Sequence, residues 1–142
     1  MPTASEHRRS LAFALANAWT RLERSLDTNL SSIRGISFAE YRLLRELSSA
    51  PGARRSRVDL ARAVGLTPSG VTRSLRPLER LKIVETERSE RDARLALATL
   101  TDAGAELVTD ATAVVDDVLS TLLRGAQKPE SLSALVDELV RS

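Results

Sequence analysis

Side chains that could bind an anionic, hydrogen-bonding partner cluster in residues 68–76. Ser69, Thr72, Arg73 and Arg76 recur at spacings of three and four, so a helix would place them on one side. A guanidinium can pair with O6 and N7 of guanine or with a phosphate, and short hydroxyls can donate to phosphate or meet a thymine methyl group. This chemistry predicts contact with double-stranded DNA. The alternative is that all four are ordinary solvated surface residues.

A second charged segment, residues 88–94, contains a further candidate group. Asp92 and Arg94 are two residues apart, so both side chains lie on the same side of an extended chain. A carboxylate beside a guanidinium can fix its direction, and an arginine at a protruding tip suits a narrow, electronegative minor groove. We therefore predict DNA contact by Asp92, Arg94 and the neighbouring Arg91. The alternative is an ordinary ion pair in a hairpin.

The chain lacks the residues that several other kinds of chemistry require. It has no Cys, and its single His, His7, lies near the start, so disulfides, thiol redox sensing and a Cys/His metal site are not expected. There is no phosphate-binding loop and no carboxylate pair with a pocket to act in, so we expect neither an enzyme nor a bound cofactor. No apolar run approaches the roughly 18 residues of a membrane span. We therefore expect a cytoplasmic protein without membrane contact.

The net charge is only +2, but it is unevenly distributed along the chain. Residues 42–94 contain thirteen Lys/Arg and seven Asp/Glu, a surplus of six positive charges, whereas residues 95–142 contain three and eight, a surplus of five negative charges. The positive charge thus falls on the segment with the candidate DNA contacts, as phosphate neutralisation requires. Chance clustering of solvated arginines is the alternative explanation.

Apolar periodicity, caps and stop signals predict the elements that carry these residues. Helices are predicted over residues 6–33, between Ser37 and Pro51, between Ser56 and Gly65, from Thr67 onward, between Thr101 and Gly125, and from Pro129 onward; strands are predicted over 83–87 and 95–100. Two short helices joined by a tight turn, followed by two strands around a charged tip, form a winged helix-turn-helix. The predicted fold class is therefore mainly α (α+β).

The same patterns predict which side chains face the core. The expected inner faces are Val58, Leu60, Ala61 and Val64 in the third helix, Val71, Leu75, Leu78 and Leu81 in the fourth, and Leu95, Leu97 and Leu100 in the second strand. Pro77 removes one hydrogen bond from the fourth helix. We interpret it as a bend between a DNA-contacting half and a packing half; a break in the helix is the alternative.

The first, fifth and sixth helices are too apolar to be simple surface elements of so small a chain. A symmetric homodimer formed by the two chain ends would bury their apolar faces. We therefore predict a helical dimerisation region at 1–36 and 102–142, with the winged helix-turn-helix at 37–101. The alternative is a compact monomer with a helical lobe.

The chain resembles the MarR family of bacterial transcriptional regulators, most specifically in LTPSGVTRSLRPLERLKIV (66–84) and ERDARLALATLTDAG (90–104). The resemblance implies that Asp92 orients the wing, that Arg94 enters the minor groove, and that the four residues named first lie on the recognition helix. It also implies a homodimer on a pseudo-palindromic operator. Lys82 stands where the family usually has Gly, so a non-glycine residue is expected to adopt positive φ.

Many members of this family are repressors that release DNA when a small molecule or an oxidant binds. The resemblance therefore predicts a repressor with a small aromatic or drug-like effector; the lack of Cys excludes a thiol-based oxidant sensor. By the same analogy Phe13, Trp19, Phe38 and Tyr41, the only aromatic residues, are candidate lining residues, and the alternative is that each is plain core. A winged-helix protein-interaction module without specific DNA binding is the alternative function.

Overall fold

The computed structural model describes residues 1–88, 96–125 and 129–141. In chain order its elements are α1 (Ala4–Arg34), α2 (Phe38–Ser49), a 3-10 turn (Pro51–Ala53), β1 (Arg54–Ser56), α3 (Arg57–Val64), α4 (Pro68–Arg80), β2 (Val84–Glu87), β3 (Leu97–Leu100), α5 (Asp102–Leu122) and α6 (Pro129–Arg141). All six predicted helices and both predicted strands are present. The order confirms the predicted winged helix-turn-helix fold.

Local capping explains where the helices begin. Ser37 accepts a hydrogen bond from the backbone N–H of Glu40, whose carboxylate accepts from the N–H of Ser37 in return. Ser56 and Thr67 cap α3 and α4 by the same kind of side-chain acceptor. At the start of α1, the backbone N–H of Thr3 donates to the carboxylate of Glu6 and lowers the pKa of that group. The caps at Ser37, Ser56 and Thr67 are those that the sequence predicted, whereas α1 begins at Ala4, two residues before its predicted start.

The core lies where α1, α2 and α5 meet the helix pair α3–α4 and the sheet. Its largest fully enclosed side chains come from five elements and are mostly leucine: Leu26, Leu30, Leu43, Leu44, Leu47, Leu60, Leu75, Leu78, Val71 and Val84. Burying each such side chain contributes about 1.5–3 kcal/mol. The core therefore holds α4, the recognition helix, to α2 and to β2, the first strand of the wing.

The sheet has three antiparallel strands in the order β1-β3-β2. The sequence did not predict β1, because Arg54-Arg55-Ser56 shows no apolar alternation and is held only by pairing with β3. Of the inner face predicted for this strand, Leu100 is buried as expected, Leu97 is not, and Leu95 lies outside the described residues. Ala96, Ala98 and Leu100 face the core, whereas Leu97 is only half-buried. Small side chains let the strand lie close to the helices, so the alanines, not the leucine between them, point inward.

Two residues predicted for the core are on the surface. Val58 is 39% exposed, because α3 packs through Leu60, Ala61 and Val64 and its first turn lies at the rim. Leu81 is 68% exposed, because α4 ends at Arg80 and Leu81 is already outside the regular helix. Helical periodicity overextends an inner face at both ends of a short helix.

The chain leaves α4 through a Schellman motif, in which the N–H of Lys82 donates to Glu79 O and that of Ile83 to Leu78 O. Lys82 adopts the left-handed conformation (φ 57°), confirming the expected positive φ. The helix continues through Pro77 to Arg80, so a break at Pro77 is wrong.

The start of α5 is fixed to this turn. The backbone N–H of Thr101 donates to Ile83 O (3.1 Å), and its hydroxyl lies 2.7 Å from Lys82 O. Gly104, in the first turn of α5, packs directly against the carbonyl oxygen of Ile83. The end of the recognition helix and the beginning of α5 are therefore one rigid junction.

Among the described residues, no helix has both the length and the apolarity needed to cross a membrane.

Candidate nucleic-acid interface

The recognition helix α4 has one fully buried face and one open, basic face. Val71, Leu75 and Leu78 are completely buried. Ser69, Arg73 and Arg76 are exposed, and within the described ranges no hydrogen bond or ion pair engages their side chains. Their donors are therefore available to an external partner, in the orientation that the sequence predicted.

Thr72, the fourth predicted contact, lies differently. It is half-buried, its hydroxyl donates to Pro68 O (3.1 Å), and it accepts from Nη1 of Arg57 (2.9 Å). A hydroxyl has one proton, so Thr72 cannot also donate to a phosphate. In this structure the hydroxyl of Thr72 joins α3 to α4, and contact of Thr72 with DNA stays a prediction. Its methyl group remains a possible apolar contact.

The turn between α3 and α4 places the two helices in the helix-turn-helix arrangement. Gly65 ends α3 with φ 70°, a left-handed conformation that glycine adopts without steric cost. The N–H of Leu66 then donates to Ala61 O (2.9 Å). The next residue, Thr67, is the N-cap of α4, which begins at Pro68. Gly70 lies close to this cap, since a Cβ there would be 3.2 Å from Thr67 Oγ1. The first turn of α4 is therefore tightly packed around its cap, and Gly70 has no side chain to cover the backbone there.

Arg57 forms a network that sequence reasoning missed. Its Nη1 donates to Thr72, and its Nη2 lies 3.4 Å from Oε1 of Glu79, which also accepts from the hydroxyl of Thr86 in β2. The four residues are far apart in sequence and belong to three elements. No periodic pattern connects them, so only the fold could reveal this cluster.

The wing is described up to Arg88 and again from Ala96. Glu87 pairs with Leu97 at its outer end, and Val84 pairs with Leu100 at its base. The predicted tip contacts Arg91, Asp92 and Arg94 lie outside the described residues, so their roles stay predictions.

A second basic surface, also missed by sequence reasoning, lies beside β1. It is an open groove of about 720 Å³ lined by Ala50, Pro51, Arg54, Arg55, Ser56, Asp59, Arg62, Ala63 and Leu97. Arg55 pairs with Glu46 (3.2 Å) and Arg62 with Asp59 (3.8 Å). Two of its three arginines are thus partly neutralised, which makes this surface a weaker candidate for phosphate than the outer face of α4.

Three of the four aromatic residues form a cluster between α1 and α2. The ring centroids of Trp19 and Phe38 are 6.0 Å apart, and those of Phe38 and Tyr41 are 6.2 Å apart. Tyr41 is buried and its hydroxyl lies 2.8 Å from the hydroxyl of Thr112 in α5. Phe13 is 69% exposed and has no ring contact within the described chain. The structure therefore brings together only part of the predicted effector-lining set.

An apolar groove of about 500 Å³ adjoins this cluster through Trp19. It is lined by Leu15, Ala18, Trp19, Arg21, Leu22, Leu122, Leu123, Leu132, Val136 and Leu139, from α1, the end of α5 and α6. Several of these side chains are about half exposed.

In the described residues no group of His, Cys, Asp and Glu could hold a metal ion.

Comparisons with known proteins agree with this geometry. A family model described as the MarR family matches residues 34–95. No curated protein sequence matches the chain. The structure of Sco3205, a MarR family transcriptional regulator from Streptomyces coelicolor in complex with DNA, superimposes with a TM-score of 0.84 at 28% identity, covering 99% of this chain and 87% of that one.

Two further structures share the fold at lower identity. The transcriptional regulator BldR from Sulfolobus solfataricus gives a TM-score of 0.88 at 21% identity and covers 99% of this chain and 100% of its own. BpsR from Bordetella bronchiseptica, whose DNA binding is regulated by 6-hydroxynicotinic acid, gives 0.77 at 20% identity, with 93% and 96% covered. Each of the three superpositions covers at least 93% of this chain.

Proposed function

We propose that this chain, whose residues 34–95 match the MarR family model, is a sequence-specific, DNA-binding transcriptional regulator of that family. The observation that carries the proposal is the outer face of α4, where Ser69, Arg73 and Arg76 are exposed and unengaged above a fully buried inner face. The N-terminal half of a recognition helix in this frame meets base edges in the major groove. The 28%-identical relative from Streptomyces was solved with DNA, which supports the same use here.

We further propose that Arg94 enters the minor groove beside the operator half-site, that Asp92 fixes its direction, and that Arg91 adds a backbone contact. The described strands on either side of this segment support the proposal, because Glu87 of β2 pairs with Leu97 of β3 in antiparallel register. An arginine carried there reaches the groove flanking the one occupied by α4.

The protein acts, in this proposal, as a homodimer formed by residues 1–36 and 102–142. Exposed apolar side chains line the groove between α1, α5 and α6, and Leu122, Leu123, Leu132 and Leu139 are each at least half exposed. Apolar surface of this kind is seldom left in water by a stable monomer. A second copy is the matching occupant, since a two-fold pair also supplies two recognition helices for a pseudo-palindromic operator.

We propose repression, relieved by a small aromatic effector, as the mode of regulation. The cluster of Trp19, Phe38 and Tyr41 joins the apolar groove to α2, which packs against the DNA-contacting helices. The regulation of BpsR by 6-hydroxynicotinic acid offers a precedent for the ligand class in a protein of the same fold. Trp19 is the only tryptophan, so its fluorescence should respond to such a ligand.

The test is fluorescence anisotropy on the DNA upstream of the protein's own gene and on a scrambled duplex, each across a salt series. We expect a steep salt dependence and about thousandfold tighter binding of the native sequence. The doubly substituted variant Arg73→Ala/Arg76→Ala should lose this preference while retaining the fold. Absence of binding even at low salt would contradict the proposal and favour a protein-interaction module.

A further inference from the structure

We infer that Arg57 is the positioning residue of the DNA-contacting surface, fixing the recognition helix relative to α3 and to the wing. The inference rests on the proposed function. Arg57 is the first residue of α3, and its side chain is only 18% exposed. Its guanidinium contacts Thr72 and Glu79 of the recognition helix, whereas the side chains of Arg73 and Arg76 are exposed and have no such contact within the described residues.

One guanidinium engages two separate turns of α4. Nη1 donates to Thr72 Oγ1 at 2.9 Å, and Nη2 lies 3.4 Å from Glu79 Oε1. Thr72 and Glu79 are seven residues apart, which is two turns of helix. Because the guanidinium is planar and rigid, contacts at two turns restrict both the rotation of α4 about its axis and its translation along α3. Arg73, next to Thr72, is directly affected by either movement.

The network extends from α4 into the wing. Glu79 also accepts a hydrogen bond from the hydroxyl of Thr86, which lies in β2 opposite Ala98 of β3. Glu79 therefore receives one partner from α3 and one from the sheet. A change at Arg57 alters the support of the recognition helix and of the wing together, although neither element follows Arg57 closely in sequence.

Arg57 is poorly placed to contact DNA itself. Both terminal nitrogens already have acceptors on α4, and Nε is buried without a hydrogen-bond partner among the described residues. Burial of an incompletely satisfied charge contributes little to stability, and one attested use of such groups is to select a single arrangement of the elements around them. This favours a role in geometry over one in phosphate binding.

The chain offers a matched control in Arg55. It lies two residues before Arg57, is also partly buried (32% exposed, against 18% for Arg57), and forms an ion pair of 3.2 Å with Glu46 of α2. Its partner is not on the recognition helix. Substitution of either arginine removes one charge and one ion pair, but only Arg57 supports α4.

The experiment compares Arg57→Met and Arg55→Met with the wild type in titrations of operator and scrambled duplexes across a salt series, with thermal unfolding of each. For Arg57→Met we expect the ratio of specific to non-specific affinity to fall by about tenfold or more, as when one base contact is misplaced. The salt slope should stay unchanged. Arg55→Met should keep the ratio within about twofold.

Other outcomes overturn the inference. A salt slope reduced by about one in Arg57→Met would identify Arg57 as a phosphate contact, and equal losses in the two variants would identify a generic stabilising ion pair. If Arg57→Met does not fold, Glu79→Gln keeps the shape and an acceptor for Thr86 while weakening the pair, and the same comparison applies. A wild-type protein that fails to discriminate between duplexes would instead refute the proposed function, and with it this role.

Discussion

Substituting Gly104 by Ala is the most direct test of the junction between the recognition helix and α5. A Cβ at Gly104 would lie 2.3 Å from the carbonyl oxygen of Ile83 and 2.5 Å from Cδ1 of Leu100. Real contacts of this type need about 3.3 Å or more. The Ile83 carbonyl already accepts from the N–H of Thr101 at 3.1 Å, so it cannot retreat without losing that bond.

The expected loss follows from three contributions. Overpacking against backbone should cost about 3 kcal/mol, the upper part of the usual range. Weakening the hydrogen bond to Thr101 adds about 1 kcal/mol, and replacing Gly by Ala inside a helix returns about 1 kcal/mol. The net destabilisation is therefore about 3 kcal/mol, or a decrease of roughly 10 °C in Tm for a chain of this size.

Circular dichroism melts and urea titrations measure this loss. Gly125→Ala is the matched control, because a Cβ at Gly125 meets no atom within 4 Å and its φ is not in the left-handed region. We expect Gly125→Ala to melt within about 2 °C of the wild type. If Gly104→Ala were equally stable, the close contact between α5 and the Ile83 turn would not exist in solution, and the junction argument would be refuted.

Four further predictions concern the turn, the DNA contacts and the dimer. Lys82→Gly should stabilise the protein by about 0.5–1 kcal/mol in urea, since relief of the left-handed conformation outweighs the added chain entropy; no gain would contradict the φ of 57°. Arg73→Ala should weaken operator binding by about 1–3 kcal/mol and relax base preference, whereas a uniform loss across sequences would make it a phosphate contact. Arg94→Ala should cause a similar loss with unchanged Tm, and unaltered affinity would refute the wing assignment. Leu139→Glu should give a monomer mass in light scattering at micromolar concentration, and a persisting dimer would place the interface elsewhere.

Features that depend on neighbouring residues could be predicted from the sequence. The caps at Ser37, Ser56 and Thr67 and the stop at Gly65 depend on interactions within four residues, and all four are present. The positive φ of Lys82 followed from the position after a helix where the family usually has glycine.

Features that depend on the assembled fold were not predictable. β1 exists because β3 lies beside it, not because its three residues favour a strand. The hydroxyl of Thr72 is used internally because Arg57, fifteen residues earlier, reaches it. Helical periodicity placed Thr72 with Arg73 and Arg76 but could not distinguish the edge of the open face from its centre. For that reason the exposure of Arg73 and Arg76 could be predicted and the internal hydrogen bonds of Thr72 could not, while DNA contact by all three stays a prediction.

The proposed effector site was likewise only partly predictable from the sequence. Composition identified the aromatic residues, but only the fold separates the cluster of Trp19, Phe38 and Tyr41 from the exposed Phe13. The roles of the wing tip, the dimer and the domain division at residues 37 and 101 stay predictions.

Selection of bound duplexes from a random library tests whether the protein is a dimer that recognises a specific DNA sequence. We expect enrichment of a pseudo-palindrome whose half-sites are separated by about 10 base pairs, one turn of the double helix. Sequences that show no enrichment over the starting library, or a single half-site without its repeat, would contradict it.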